Sequence, residues 1–167
     1  DSEEAVKIAT TRIEGFPAIY TRHWLSGLSK KIGLASREDG DLELIQSLLD
    51  AMQLARADFT NTFRKLSSGE EIPELADWMP KWRERVSRDP LSTEDRKALM
   101  QSVNPAYIPR NHMVEEMIAA AVERGDYAPF ENMLAVLMRP YEDQPDAARY
   151  AEPPVPSEEA YRTFCGT

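Results

Sequence analysis

Large apolar residues in this chain return every three or four positions and give no convincing strand alternation with polar ones. Phe16, Tyr20, Trp24, Leu28 and Ile32 recur at intervals of four, and Leu42, Ile45, Leu48, Leu49 and Met52 make a second stripe. At 3.6 residues per turn such positions share one face of a helix, whereas a half-buried strand needs a period of two. The pattern restricts the chain to an all-α fold. Twelve prolines scattered through 167 residues restrict it further. Each removes an amide donor and crowds the turn before it, so long regular bundles are disfavoured. The expectation is an irregular multi-helix domain with a C-terminal helical hairpin and an extended, proline-rich tail.

The boundaries follow from breakers and caps. Ala5, Ile8, Ala9 and Ile13 form a first rough stripe, and Gly15 and Pro17 predict a kink or a fresh helix start near Pro17. Gly33 ends the helix that carries Trp24 and Leu28. Asp41 is placed to cap the next one. A short amphipathic piece over residues 58–66 uses Phe59 and Phe63, and Ser67-Ser68-Gly69 reads as a turn. Leu75, Trp78, Met79, Trp82 and Val86 predict a helix that Pro80 bends or restarts. Ser92 or Thr93 caps another, with Glu94 and Asp95 suited to its positive first turn. Met113, Val114, Met117, Ile118, Ala121 and Val122 line a helix stopped by Gly125. After Asp126, Phe130, Leu134, Leu137 and Met138 are expected to face the core, completing the hairpin. Residues 1–139 form the helical domain and residues 140–167 the tail. Residues 140–160 hold five prolines, six acids and one arginine, which predicts a strap across the domain or disorder, with Tyr141 and Tyr150 as candidate anchors.

Twenty basic against 29 acidic side chains leave a formal charge of −9, which argues against nucleic acid or an acidic membrane as the main partner. No apolar run approaches the roughly 20 residues that span a bilayer, and no secretory leader is recognised, so the cytoplasm is the expected compartment. The start at Asp1 rather than Met suggests a domain cut from a longer protein.

Complete active-site patterns are missing. His23 and His112 titrate near neutrality in free form but belong to no metal or nucleophile motif. Glu38, Asp39, Asp41 and Glu43 lack the spacing of a calcium loop, and Glu115 and Glu116 suit a helix end better than a carboxylate pair. There is no glycine-rich phosphate loop. Asp58, Asn61, Arg64, Arg110, Asn111 and His112 are candidates for contacts with a neighbouring domain or for polar bridges within this one. Cys165, the only cysteine, has no partner for an internal disulfide and no second sulfur for a metal site. Both an incidental thiol and a reactive one remain open at this point. A self-contained helical interaction module and a small hydrolase built on His112 are the competing functional readings.

Four segments, in order along the chain, are Lys31-Ile-Gly-Leu34, Asp58-Phe-Thr-Asn-Thr-Phe-Arg64, Asn104-Pro-Ala-Tyr-Ile-Pro-Arg-Asn-His112 and Arg139-Pro-Tyr-Glu-Asp-Gln-Pro145. With the terminal Phe164-Cys165-Gly166-Thr167 they resemble the C-terminal part of the selenoprotein O family of kinase-like protein adenylyltransferases. The resemblance implies a larger enzyme that moves AMP from ATP onto protein hydroxyl groups with Mg or Mn. Its nucleotide and metal ligands lie in an N-terminal kinase-like region outside this chain, so no catalytic, cofactor or metal residue is expected here. It also implies that Cys165 occupies the family's C-terminal redox position, with a disulfide partner outside these 167 residues. The expected role is scaffolding and redox regulation.

Overall fold

The computed structural model describes residues 2–155, and every regular element among them is helical. The order is α1 (Ser2–Lys31), α2 (Asp41–Leu54), α3 (Phe59–Ser68), a 3-10 turn (Pro73–Leu75), α4 (Met79–Ser87), α5 (Thr93–Val103), α6 (Asn111–Arg124), α7 (Ala128–Leu137), a second 3-10 turn (Pro145–Ala147) and α8 (Ala148–Ala151). Cys165 and the rest of residues 156–167 lie outside the described residues.

The core forms where the apolar stripes meet. Leu28, Ile32 and Leu34 from the end of α1 pack with Ile45, Leu48 and Met52 of α2, Phe63 and Leu66 of α3, and Met100 of α5. Ile72, Leu75, Trp78, Met79 and Trp82 close the other side. The two indoles stack with centroids 6.0 Å apart. Their N–H groups donate to the carbonyls of Leu44 and Ile32, so neither buries an unpaired donor. Pro80 restarts the chain as expected, lying in the first turn of α4, where no helical amide is required. Ser92 caps α5 by accepting from the Asp95 amide.

Gly33 shows how tight the centre is. Its φ of +75 is left-handed, and a Cβ there would lie 2.5 Å from Arg96 Cγ and 2.7 Å from Met100 Sδ. Glycine is required twice, by the turn after α1 and by the approach of α5.

Several local expectations change. No break occurs at Pro17: α1 runs unbroken through it. The missing amide removes one helical hydrogen bond, to the Ile13 carbonyl, in a stretch that is exposed throughout, so water can satisfy that carbonyl. Asp41 is not the side-chain cap of α2. Gly40 holds the cap position, and Asp41, in the first turn, is drawn inward to a buried guanidinium. Ser67 and Ser68 continue α3, whose end is the left-handed Gly69.

The α6–α7 hairpin exists, with Gly125 left-handed at its turn, but its buried residues differ from expectation. Ala120, Met133 and Val136 are buried, while Phe130 and Leu134 are exposed and Val122 and Met138 are 80% and 73% exposed. Two helices touching along one seam cover only a narrow part of such broad apolar arcs. The strap after α7 is partly helical. Pro145 opens a 3-10 turn, a position that needs no amide donor, and residues 146–151 contain no proline to stop α8. Tyr150 packs on a small cluster of Ala106, Tyr107, Val136 and Ala147, whereas Tyr141 stays exposed.

Candidate functional site

The four segments singled out in the sequence converge on one polar seam. It starts at Asp58, whose side chain caps α3 by accepting from the Asn61 amide at 2.8 Å. Arg110, just before α6, donates to both Asp58 oxygens at 2.8 and 3.0 Å and to Asn61 Oδ1 at 3.1 Å. A planar guanidinium suits this two-oxygen grip, which a lysine could not reproduce. Burial pushes the Asp58 carboxyl up, but the Arg110 hydrogen bond and the Asn61 amide outweigh it and hold its pKa below the ordinary aspartate value.

From this pair the seam reaches the strap. Asn61 Nδ2 donates to the Ala151 carbonyl at 3.0 Å. Arg64, one turn along α3, donates to the Asn104 carbonyl at 3.1 Å and to Asp143 at 2.6 Å. The amides of Ala106 and Tyr107 donate to the Pro140 carbonyl. The Tyr107 hydroxyl is used twice, accepting from the Gln144 amide and donating to the Gln144 carbonyl, each at 3.0 Å. Gln144 Nε2 in turn donates to the carbonyls of Val136 and Arg139. Residues 140–151 are thereby tied to α3 and to the segment between α5 and α6.

Asn104 anchors the seam to the core and is fully buried. Its amide group donates to the Lys31 carbonyl at 2.8 Å and to Ser67 Oγ at 2.9 Å, while its Oδ1 accepts from Lys31 Nζ at 3.1 Å. The Lys31 ammonium also donates to the Val103 carbonyl and lies 5.4 Å from the Phe63 ring centroid. Burial lowers its pKa. Each residue of Lys31-Ile-Gly-Leu34 is thus engaged: an ammonium on the seam, two core side chains and the obligatory glycine.

A second cluster escaped the sequence reading. Arg85 donates to Asp41 at 2.6 and 3.2 Å and to the Ser36 carbonyl at 2.9 Å, with Glu38 at 3.4 Å. Asp89 accepts from the amides of Ala35 and Ser36 and from the Ser36 hydroxyl. Burial raises the Asp89 pKa, but these donors prevail and hold it below the ordinary value. Arg96 donates to the carbonyls of Gly33, Val86 and Leu91. The signal was present: Arg85 and Asp89 continue the 78, 79, 82 face of α4, where a charged side chain at a buried register demands a partner.

The remaining candidates lie apart from this seam. Asn111 is exposed and His112 half-buried in the first turn of α6; no carboxylate pairs with His112 among the described residues. His23 is exposed on α1. Among the described residues no three His, Cys, Asp or Glu side chains gather in a group that could hold a metal. Glu38, Asp41 and Asp89 face Arg85, and Asp89 also faces Arg96, so their charge is already matched. This set does not fit a nucleotide-bound divalent cation, and no step of phosphoryl chemistry is assigned to it. No helix among the described residues is long and apolar enough to cross a membrane.

Fold and seam define a class: an all-helical protein region whose buried polar groups pair with one another and with its own backbone. Its family comes from similarity. The model described as "Protein adenylyltransferase SelO" matches residues 5–138. A relative named "Protein nucleotidyltransferase YdiU" from Rhizobium etli (strain CIAT 652) is 51% identical over 181 residues, covering 100% of this chain and 36% of its own length. Proteins of the same name from Bradyrhizobium sp. (strain ORS 278) and Rhizobium meliloti (strain 1021) are each 47% identical over 180 residues, with 37% of their length covered. The chain belongs to the SelO family of protein adenylyltransferases, and it spans a little over a third of the length of these curated relatives.

Proposed function

We propose that this chain is the C-terminal scaffolding and redox-regulatory region of a protein adenylyltransferase, which transfers AMP from ATP to hydroxyl groups of protein substrates. The observation that carries this reading is the polar seam. Side chains of two signature segments, Asn61 and Arg64 from one and Tyr107 from the other, hold residues 143–151, so the strap is fixed against the body. Such a seam suits a role in presenting the residues that follow, Cys165 included.

In this reading, ATP and the Mg or Mn ion bind to the part of the protein outside these residues. Positioning and charge stabilisation of the transferred phosphoryl group belong there as well. Cys165 pairs reversibly with a thiol in that part. Formation of the disulfide removes two electrons and two protons from the two thiols, with a peroxide as the acceptor. Asp58, Asn61, Arg64 and Arg110 serve the contact between regions indirectly, by holding the strap, while Asn111 and His112 are free to meet the neighbouring region directly.

The test compares the 167-residue chain with the full-length protein in an AMP-transfer assay, with labelled ATP and each metal. The full-length protein is expected to label itself or an added protein, and the 167-residue chain to label nothing. Metal-dependent transfer by the short chain sinks the scaffolding reading. Non-reducing electrophoresis after peroxide treatment is expected to show a faster-migrating full-length species that Cys165→Ser abolishes. An unchanged pattern removes the redox role.

A further inference from the structure

The first two-thirds of α1 leaves the body of the protein. Residues 2–23 are exposed throughout, roughly 33 Å of helix. Val6, Ile13, Phe16 and Tyr20 lie along one side of it, and Ile8 and Ile19 along the adjacent side. All six are exposed, Ile13 to 72%. At 100° per residue they cover an arc of about 160°. The opposite arc carries Glu3, Lys7, Thr10, Glu14 and Thr21. The stretch is therefore two-sided, with a water face and an apolar face that nothing among the described residues covers.

Its composition argues that the helix needs a cover. Gly15 and Pro17 are the two residue types least suited to a helix interior, and Pro17 leaves the Ile13 carbonyl without its helical donor. A segment of this length with both residues is at best marginally helical in water on its own. Burial of the apolar arc is the stabilisation that offsets these defects.

We infer that this part of α1 docks into the remainder of the full-length polypeptide, on an apolar surface that carries a carboxylate opposite Arg12. Two observations select this occupant over a second copy of the chain. The relatives contain almost two-thirds of their length outside the region matched here, so a cover is available within the same molecule. Two identical helices pairing along a coiled-coil seam bury a narrow a/d stripe, whereas an arc of about 160° needs neighbours on two sides, as a helix within a domain layer has. Arg12 falls inside the apolar arc, which specifies the acidic group on the covering surface. The inference rests on the reading of this chain as one region of a larger adenylyltransferase.

Hydrogen exchange measured by mass spectrometry tests it. In the 167-residue chain, amides of residues 4–23 are expected to exchange within roughly tenfold of unstructured rates. In the full-length protein the same amides should exchange about 100-fold more slowly. Phe16→Glu in the full-length protein should abolish that slowing, Phe16→Ala should reduce it, and Thr10→Glu on the opposite arc should leave it intact. Residues 45–52 of α2 report whether each variant stays folded; if Phe16→Glu unfolds them, Phe16→Ala decides. Equal, fast exchange of α1 in both proteins overturns the docking, as does full protection in Phe16→Ala. Protection in the 167-residue chain that rises with its concentration, together with a dimeric mass, assigns the face to a second copy and also overturns it. AMP transfer is read on the same full-length sample. Protection without transfer keeps the docking and sinks the adenylyltransferase reading; transfer with an unprotected α1 sinks the docking alone.

Discussion

Arg110 grips the Asp58 carboxylate that caps α3 and the side-chain oxygen of Asn61, so its removal is felt at two groups at once. Arg110→Ala leaves the Asp58 carboxylate only the Asn61 amide and leaves the Asn61 side-chain oxygen without a donor. Because Asp58 remains partly exposed, the expected loss is about 2 kcal/mol, less than for a fully buried pair. Urea denaturation at neutral pH measures it, and Arg110→Lys should recover less than half, since an ammonium cannot span both oxygens and Asn61. Protonation gives a second prediction. The folded pKa values of Asp58 and Asp89 lie below their unfolded values, so the unfolded chain binds protons first as pH falls. Their stabilisation is complete well above the unfolded value of about 4 and is lost as pH drops from there through the folded values. Stability measured between pH 6 and pH 3 should therefore fall on the acid side, and Asp58→Asn should flatten that limb while lowering the plateau. An unchanged acid limb in Asp58→Asn would mean that the Arg110 contact does not perturb this carboxyl. At this scale the sequence was only partly readable. Asp58 and Arg110 stood out as polar residues in dense motifs, but nothing in their spacing along the chain revealed that they face each other.

Among the elements, the strap depends most on a few contacts. Tyr107 holds Gln144 through one hydroxyl that both donates and accepts. Tyr107→Phe keeps the ring in its cluster with Ala106, Val136 and Ala147 and removes both hydrogen bonds. Residues 140–151 should then open more easily by about 1–2 kcal/mol, seen as faster amide exchange there, with α2 and α4 unchanged. Equal exchange in both proteins would show that the apolar cluster alone holds the strap. The helices themselves were legible because caps and breakers act locally: Ser92, Gly125 and Pro80 do what their chemistry dictates wherever the chain goes. Pro17 shows the limit. Proline removes one hydrogen bond, but whether the helix ends there depends on what surrounds the freed carbonyl, and that is not local information.

For the molecule as a whole, the amount of apolar surface left uncovered matters most. Besides α1, the α6–α7 hairpin presents Val122, Phe130, Leu134 and Met138 to solvent. Patches of this kind promote association, so the scattering of the 167-residue chain should rise more steeply than in proportion to its concentration. The pair Val122→Lys and Met138→Lys should suppress that scattering and change the melting temperature by less than about 2 °C, because both side chains are largely exposed already. A large fall in melting temperature would show that these residues belong to the core after all. The sequence by itself determined the helical class, most helix ends and the family, because periodicity, caps and motif order are properties of residues close in the chain. Which apolar face is buried, which acid meets which arginine, and how Lys31, Asn104 and Tyr107 tie four distant segments into one seam were decided by the tertiary structure alone. Those contacts join residues up to 90 positions apart. Helical spacing orders side chains around one axis, but it carries no information about the neighbour across the gap.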